Sequence, residues 1–359
     1  MSNKLRILKA EKMNAEFKTV LNESEIVDIE NYCRSVDYFA LEQSLGFAEI
    51  LYKSKVNYFL LWDEGRILSF CQIYENFRVA HIWYGPVCND RESVIITIDE
   101  IIRHYKQRGY WYLGIQMNLK TGPDCDFIEY QLNRRHRIKY IFDNNNTKAS
   151  LELDLSQTKE DLLRGFRKGH RSDVKKAISS GISVEEGDED TVRAFLRIYR
   201  RMCDVRSIKG HTSSEVVRII EYLKSRKQGV LLVAKTSDGA VLGGAIFVYQ
   251  GVSVRYLLSA SDPDIRELPI THLVIYKAIE TARETGFRYF DFWGYNHFAE
   301  KDDQIYKINS FKKGFGGYYT FFAKKMNINL IPGGYNIYRL FVVMKKLWGK
   351  FPIRSSTIL

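Results

Sequence analysis

Apolar positions along this chain follow two different periods, and they change over in a regular order. Segments 58–62, 66–74 and 80–84 have the β-branched and aromatic content of strands, 92–108 repeats its apolar residues at helical spacing, and 110–116 returns to strand. The polar cluster Asp143-Asn144-Asn145-Asn146-Thr147-Lys148 then interrupts the pattern as a linker. After it the theme restarts, with a strand predicted at 149–155, helices within 159–180 and 190–201, and strands at 230–235, 241–249 and 252–259. A helix follows at 269–285, with Pro269 in its first turn and Gly286 as its stop, and then a strand at 289–293. Leu273, Tyr276, Ala278 and Ile279 of that helix are expected to face a sheet.

Each half therefore repeats two hairpin strands, a helix and a further strand, without sequence repetition. This order is similar to that of the Gcn5-related N-acyltransferase (GNAT) fold. The expected class is α/β (α+β), with two tandem GNAT-like domains built on mixed central sheets, divided as 1–148 and 149–324. The 359 residues suit two domains, and a 45% hydrophobic share fills two cores. Only 6 prolines and 27% charged residues argue against a disordered chain.

A formal charge of +11 favours phosphate-bearing partners without choosing among nucleic acid, nucleotide-linked substrates and an anionic membrane. The five cysteines, Cys33, Cys71, Cys88, Cys125 and Cys203, are scattered, so no disulfide framework or zinc site is indicated, and a cytoplasmic location is expected. The first residues do not form an export signal, and no apolar run is long enough to span a bilayer. The seven histidines form no i, i+4 pair with acids around it, so no metal is expected.

Four segments carry candidate chemistry. Arg164-Gly165-Phe166-Arg167-Lys168-Gly169-His170-Arg171-Ser172-Asp173-Val174-Lys175-Lys176 holds six cations, with Leu162, Leu163, Phe166, Val174, Ala177 and Ile178 turned inward. It is either a phosphate contact or a solvated helix face. The loop with Arg206, Lys209 and His211 offers donors that converge on a diphosphate, or is plain surface. Arg288-Tyr289-Phe290-Asp291-Phe292-Trp293-Gly294 is a buried strand ending in a carboxylate and a glycine. Phe311-Lys312-Lys313-Gly314-Phe315-Gly316-Gly317, expected just after a strand, sets cations and exposed N–H groups near an anionic centre. By contrast, the turn 261–269 before the central helix has no glycine, three acids and two prolines, a poor cradle for the pyrophosphate of an acyl-coenzyme A.

These segments resemble the Fem family of non-ribosomal peptidyltransferases (FemA, FemB, FemX and MurM). The matching residues are Gln43-Ser44-Leu45-Gly46-Phe47-Ala48, His170-Arg171-Ser172-Asp173-Val174-Lys175-Lys176-Ala177 with Gly181-Ile182-Ser183-Val184, and Tyr256-Leu257-Leu258-Ser259-Ala260-Ser261. Tyr289-Phe290-Asp291-Phe292-Trp293-Gly294 and the Phe311 to Gly317 motif complete the set. The resemblance implies an aminoacyl-tRNA donor, a UDP-linked or lipid-linked peptidoglycan precursor as acceptor, no cofactor, and a tail, 325–359, that returns to the first domain. It implies that Lys312 assists aminoacyl transfer. It also implies that acceptor contacts fall on the loop after Met202, where His211 stands in place of a family arginine, and near Leu51, where Lys53 is the stand-in for a family lysine. Longer members carry a coiled-coil arm; nothing heptad-like is inserted here, so the compact form is expected.

In that scheme a stem-peptide amine attacks the aminoacyl ester. Lys312 and Asp291 are the expected catalytic pair, Asp291 taking the amine's proton, fixing the stem peptide's ammonium before transfer, or simply bonding a neighbouring backbone N–H. Phe311, Lys313, Arg171 and Lys175 are assigned to the donor, and Arg206, Lys209, His211, Tyr256 and Lys53 to the acceptor. For Phe311 the alternative is a core position, and for Tyr256, a strand tyrosine, it is packing. The tail 335–351 mixes apolar and basic residues and either covers the first domain or lies on the inner leaflet as a peripheral contact. A monomer is expected. The rival is a GNAT-fold N-acyltransferase acting on an amino sugar of a surface polysaccharide, and a second rival is a non-catalytic RNA-binding module.

Overall fold

The computed structural model describes residues 13–51, 55–141, 149–265 and 267–347. Lys53 and the 143–148 linker lie outside the described residues. The chain divides into two compact units, one formed by Met1–Asp143 with Phe321–Leu359, the other by Asn144–Thr320. In chain order the elements are β1 (Met13–Lys18), α1 (Glu23–Ser35), β2 (Lys55–Asp63), β3 (Arg66–Asn76), β4 (Val79–Trp83), α2 (Arg91–Gln107), β5 (Tyr112–Gln116), α3 (Pro123–Arg135) and β6 (Ile138–Tyr140). The second unit holds β7 (Ala149–Asp154), α4 (Lys159–Gly165), α5 (Lys168–Ser179), β8 (Ser183–Glu186), α6 (Glu189–Val205), α7 (Ser213–Ser225), β9 (Gly229–Lys235), β10 (Val241–Gln250) and β11 (Ser253–Ser261). It continues through α8 (Ile270–Glu284), β12 (Tyr289–Asp291), α9 (Gln304–Lys313) and β13 (Tyr318–Phe321), after which β14 (Met326–Asn329) and α10 (Gly334–Leu347) follow.

The first sheet runs β1-β2-β3-β4-β5-β14-β6 and the second β13-β7-β12-β11-β10-β9-β8. Each includes a parallel step, β4 with β5 and β11 with β12. A parallel step needs a crossover, supplied by α2 in one unit and α8 in the other. The repeated theme is thus physical: the same crossover recurs on two mixed sheets, and the expected fold class holds.

In the second unit α6 starts on a capping box of Asp188 and Thr191 and buries Phe195, Ile198, Tyr199 and Met202, spaced for one helix face. The core joins Phe166, Phe247, Phe290, Phe292 and Phe315 to Leu273, Val274 and Ile279 of α8. Helix α8 is preceded by Pro269 rather than opened by it. Ile178, expected inward, is 49% exposed on α5.

Two local expectations change. The strand at 289–293 stops at Asp291, because Trp293 and Gly294 adopt positive φ of 47° and 57°, which no strand accommodates. The Phe311 motif does not follow a strand: Phe311, Lys312 and Lys313 form the last turn of α9. Its glycines serve close packing, since a Cβ on Gly314 would meet His170 Nε2 at 2.0 Å, and one on Gly316 the Gly165 carbonyl oxygen at 2.7 Å. The N–H groups of Gly314 and Gly316 bond to carbonyls of α9, so they are not an anion cradle.

In the first unit Tyr335 and Tyr338 of α10 pack on Tyr112, and Phe341 stacks on Phe77 at 5.0 Å. The outward side of the same helix leaves Ile337, Leu340, Val343 and Met344 exposed. Among the described residues, no helix is long and apolar enough to cross a membrane.

Gly317 and Gly239 share a left-handed backbone, φ +89° and +87°, but an added Cβ would strike the Glu152 carbonyl oxygen at 2.4 Å only at Gly317. Gly239→Ala is expected to cost about 1 kcal/mol of backbone strain, and Gly317→Ala at least about 2 kcal/mol more through the clash. Urea denaturation of both variants measures the difference.

Candidate active site

The centre of the second unit is built where β12 ends. Arg255 on β11 lies opposite Asp291 in the parallel register, and both are buried. The Asp291 carboxylate accepts the Ser150 hydroxyl and, at 2.8 Å, the Trp293 N–H; its other oxygen stands 3.7 Å from Arg255 Nε. The Arg255 guanidinium in turn lies 3.5 Å from the centroid of the Trp293 ring, a cation–π contact. Asp291 therefore holds the left-handed turn at Trp293 and Gly294 from one side, and Arg255 holds its ring from the other.

That turn directs two carbonyls at Lys312. The ammonium donates to the Trp293 oxygen and, at 3.1 Å, to the Gly294 oxygen, which engages two of its three N–H groups. Three residues earlier on α9, Asn309 Nδ2 donates to the Asn296 carbonyl at 2.6 Å. Positions i and i+3 share a helix face, so Asn309 and Lys312 together fasten α9 to the segment after β12. Burial lowers the Lys312 pKa to about 8, with Asp291 opposing the shift. At 8% exposure this is no lysine on the tip of a hairpin, and the sequence-based picture is corrected to a buried ammonium on a carbonyl pair.

The donor-side candidates divide. Phe311 packs edge-on against His272 and Phe315, the packing alternative. Arg171, half-buried, donates through one guanidinium nitrogen to the carbonyls of Arg164 and Phe166 at the end of α4. Lys175 and Lys313 are exposed. Lys313 Nζ lies 5.5 Å from the Tyr319 ring centroid, and the Tyr319 and Tyr295 hydroxyls are 3.2 Å apart. Burial raises the Tyr319 pKa, but hydrogen bonds from Lys313 and Tyr295 outweigh it and the net shift is downward. This half-exposed pair of tyrosines beside a lysine is a surface on which a base can stack.

On the acceptor side, Arg206 caps α6 and is exposed, and its charge is felt by the Tyr256 hydroxyl. Burial pushes Tyr256 up to about 12, and its hydroxyl bonds Ser259. Lys209 and His211 line a surface cavity of about 480 Å³ with Tyr199, Cys203, Ser213 and Ser214. His211 donates its N–H to the Tyr199 hydroxyl at 2.9 Å, and burial lowers its pKa while Glu215 opposes.

Sequence reasoning missed Arg255, Ser150, Asn309, Tyr295 and Tyr319. A lone arginine inside the apolar run at 252–259 was a usable signal for the first; the others come together only through tertiary contacts.

The turn before α8, where a coenzyme A enzyme would hold pyrophosphate, is occupied by its own charges: Arg201 pairs with Asp262 at 3.6 Å and also with Asp264. The Acetyltransferase (GNAT) domain family matches residues 164–307. The chain is a tandem GNAT-fold enzyme of the acyltransferase class. Its likeness to the Fem peptidyltransferases holds beyond the motifs: it is 20% identical to the lipid II:glycine glycyltransferase of Staphylococcus epidermidis (strain RP62A), over 80% of this chain and 81% of that one. Its fold matches a crystal structure of FemX with a TM-score of 0.77 at 17% identity, covering 90% of this chain and 99% of that one. A tandem GNAT protein from the clavulanic acid biosynthesis pathway superposes with a TM-score of 0.51 at 12% identity, over 89% and 99%.

Lys312 supplies a pH signature. Its pKa falls from 10.5 unfolded to about 8 folded, so between these values the unfolded chain binds more protons and stability rises with pH. The buried charge weighs on stability fully below about pH 8 and is relieved towards pH 10.5. Wild type should therefore gain on Lys312→Met by about 2–3 kcal/mol between pH 7.5 and 10 in urea denaturation. A gap that is flat with pH would mean that the ammonium is not buried in solution.

Proposed function

We propose that this protein moves an amino acid from aminoacyl-tRNA to the stem-peptide amine of a lipid-linked peptidoglycan precursor, forming part of an interpeptide bridge. The observation that carries this reading is the likeness to a lipid II:glycine glycyltransferase over four-fifths of the chain, more than either unit holds alone. The acid-filled turn closed by Arg201 supports it, because that turn offers no pyrophosphate cradle to an acyl-coenzyme A.

The reaction needs modest activation. A neutral amine adds to the ester carbonyl, the tetrahedral oxyanion collapses, the C–O bond to the tRNA ribose breaks, and the ribose oxygen takes up the proton released by the amine. Lys312 contributes fixed positive charge beside the Trp293–Gly294 turn, with one N–H left to stabilise the developing oxyanion. Asp291 acts here as a positioning residue: its carboxylate already accepts two hydrogen bonds and faces Arg255, so it shapes the turn and is poorly placed to take up the amine's proton. Tyr319, Tyr295 and Lys313 receive the unpaired 3′ end of the donor. Arg206, Lys209 and His211 hold the acceptor's diphosphate, and the exposed apolar face of α10 meets the lipid surface from which that precursor is drawn.

The deciding experiment supplies charged tRNAs together with UDP-linked and lipid-linked precursors and reads product mass. Mass gain on the lipid-linked form is expected. Acetyl transfer from acetyl-CoA to an amino sugar, with no tRNA-dependent product, would replace this reading with the polysaccharide rival. Lys312→Ala should lower turnover more than tenfold, at least about 1.4 kcal/mol of barrier. Tyr319→Ala should instead raise KM for aminoacyl-tRNA roughly tenfold with kcat little changed, as stacking energies of about 1–3 kcal/mol imply.

Where the acceptor amine is a lysine, with a free pKa near 10.4, kcat/KM should climb with pH as the neutral amine becomes available. It should level near pH 8, where Lys312 loses its charge. A profile that keeps rising through pH 9.5 would remove the ammonium from the mechanism.

A further inference from the structure

Two helices that sequence spacing does not connect bring a second group of functional side chains together. His170 and Asp173 sit at i and i+3 on α5, on one helix face, and His272 projects from the first turn of α8. One donor atom from each lies within 4.8 Å of the others, and His272 Nε2 is already 3.5 Å from Asp173 Oδ2. The two imidazoles meet edge to face with centroids 4.5 Å apart.

We propose that His170, Asp173 and His272 form a binding site for a divalent transition-metal ion of the zinc type, distinct from the Lys312 centre. Tetrahedral zinc, with bonds of about 2.0–2.1 Å, sets its ligand atoms roughly 3.3 Å apart. The Asp173–His272 edge has about that spacing now, all three edges lie within 4.8 Å, and the Asp173 side chain, 43% exposed, is free to adjust its rotamer towards the ion. The same exposure leaves the remaining coordination position to water.

The support around the ligands is the kind a metal-bound imidazole has. His170 Nε2 lies 2.9 Å from the Phe311 carbonyl oxygen, which can only accept, so Nε2 carries the hydrogen and Nδ1 keeps its lone pair for a metal. Phe311 and Phe315 wall the pair on one side. A bound ion would tie α5 to α8 and, through the Phe311 carbonyl, to the last turn of α9 where Lys312 sits.

The test uses the full chain after treatment with a chelator, titrated with Zn2+ by calorimetry and with Co2+ as a spectroscopic probe. One equivalent of Zn2+ is expected with Kd of about 10 μM or below, together with a visible Co2+ d–d absorption and a higher Tm. Asp173→Asn, isosteric and on the surface, and His272→Gln should each weaken Zn2+ binding at least tenfold while unfolding cooperatively without metal. Wild type that takes up no Zn2+ at 100 μM, or uptake that both variants leave unchanged, overturns the proposal. This readout is independent of substrate turnover, so failure of the transfer reading would leave it standing.

Discussion

The burial of Lys312 in the second unit depends on a single hydrogen bond, from the Trp293 N–H to the Asp291 carboxylate. It converts the end of β12 into a left-handed turn, which a tryptophan would otherwise avoid at a cost of about 1–2 kcal/mol. Once that turn exists, two carbonyls that a continuing strand would have spent on a ladder are available to solvate an ammonium. A lysine can then be buried without a carboxylate in direct contact, because oriented backbone dipoles replace the water it gave up. Remove the carboxylate and the turn relaxes, the carbonyls turn away, and Lys312 is left as an uncompensated buried charge.

The fold and the site were unequally legible in the sequence. Strands such as β3, β10 and β11 and the helices α2 and α8 announce themselves because each buries a continuous stripe or run of apolar residues, and tertiary packing only reinforces what periodicity already states. Helix α9 was hidden because its apolar face is narrow: among its ten residues only Asn309 and Lys312 are buried, and both are polar. A polar pair at i and i+3 carries no hydrophobic signal, yet here it is the pair that anchors the helix. The glycines after it were legible as unusual but not as to purpose. Their need arises from the His170 ring and the Gly165 carbonyl, far apart in sequence from the motif.

The same limit applies to spacing rules for metals. A search for two histidines one helical turn apart finds no pair, because the second imidazole comes from a helix about a hundred residues further on. Local periodicity constrains one element at a time; His170, Asp173 and His272 meet only because α5 packs against α8.

Charge counting likewise overstates what is available for phosphate. Within the cationic run, Arg164 pairs with Asp161 and Arg171 commits one guanidinium nitrogen to carbonyls at the end of α4. Nearby on α6, Arg193 is shared between Glu189 and Asp190, and Arg201 closes the acidic turn before α8. Half of the arginines in this stretch, with their planar forks, are thus taken for fold architecture, and the exposed cations that remain include the lysines Lys175, Lys209 and Lys313. Lysine is a mobile point charge, suited to holding a phosphate backbone without reading it. On such a surface any discrimination has to come from shape, as at the neighbouring rings of Tyr295 and Tyr319, rather than from net charge.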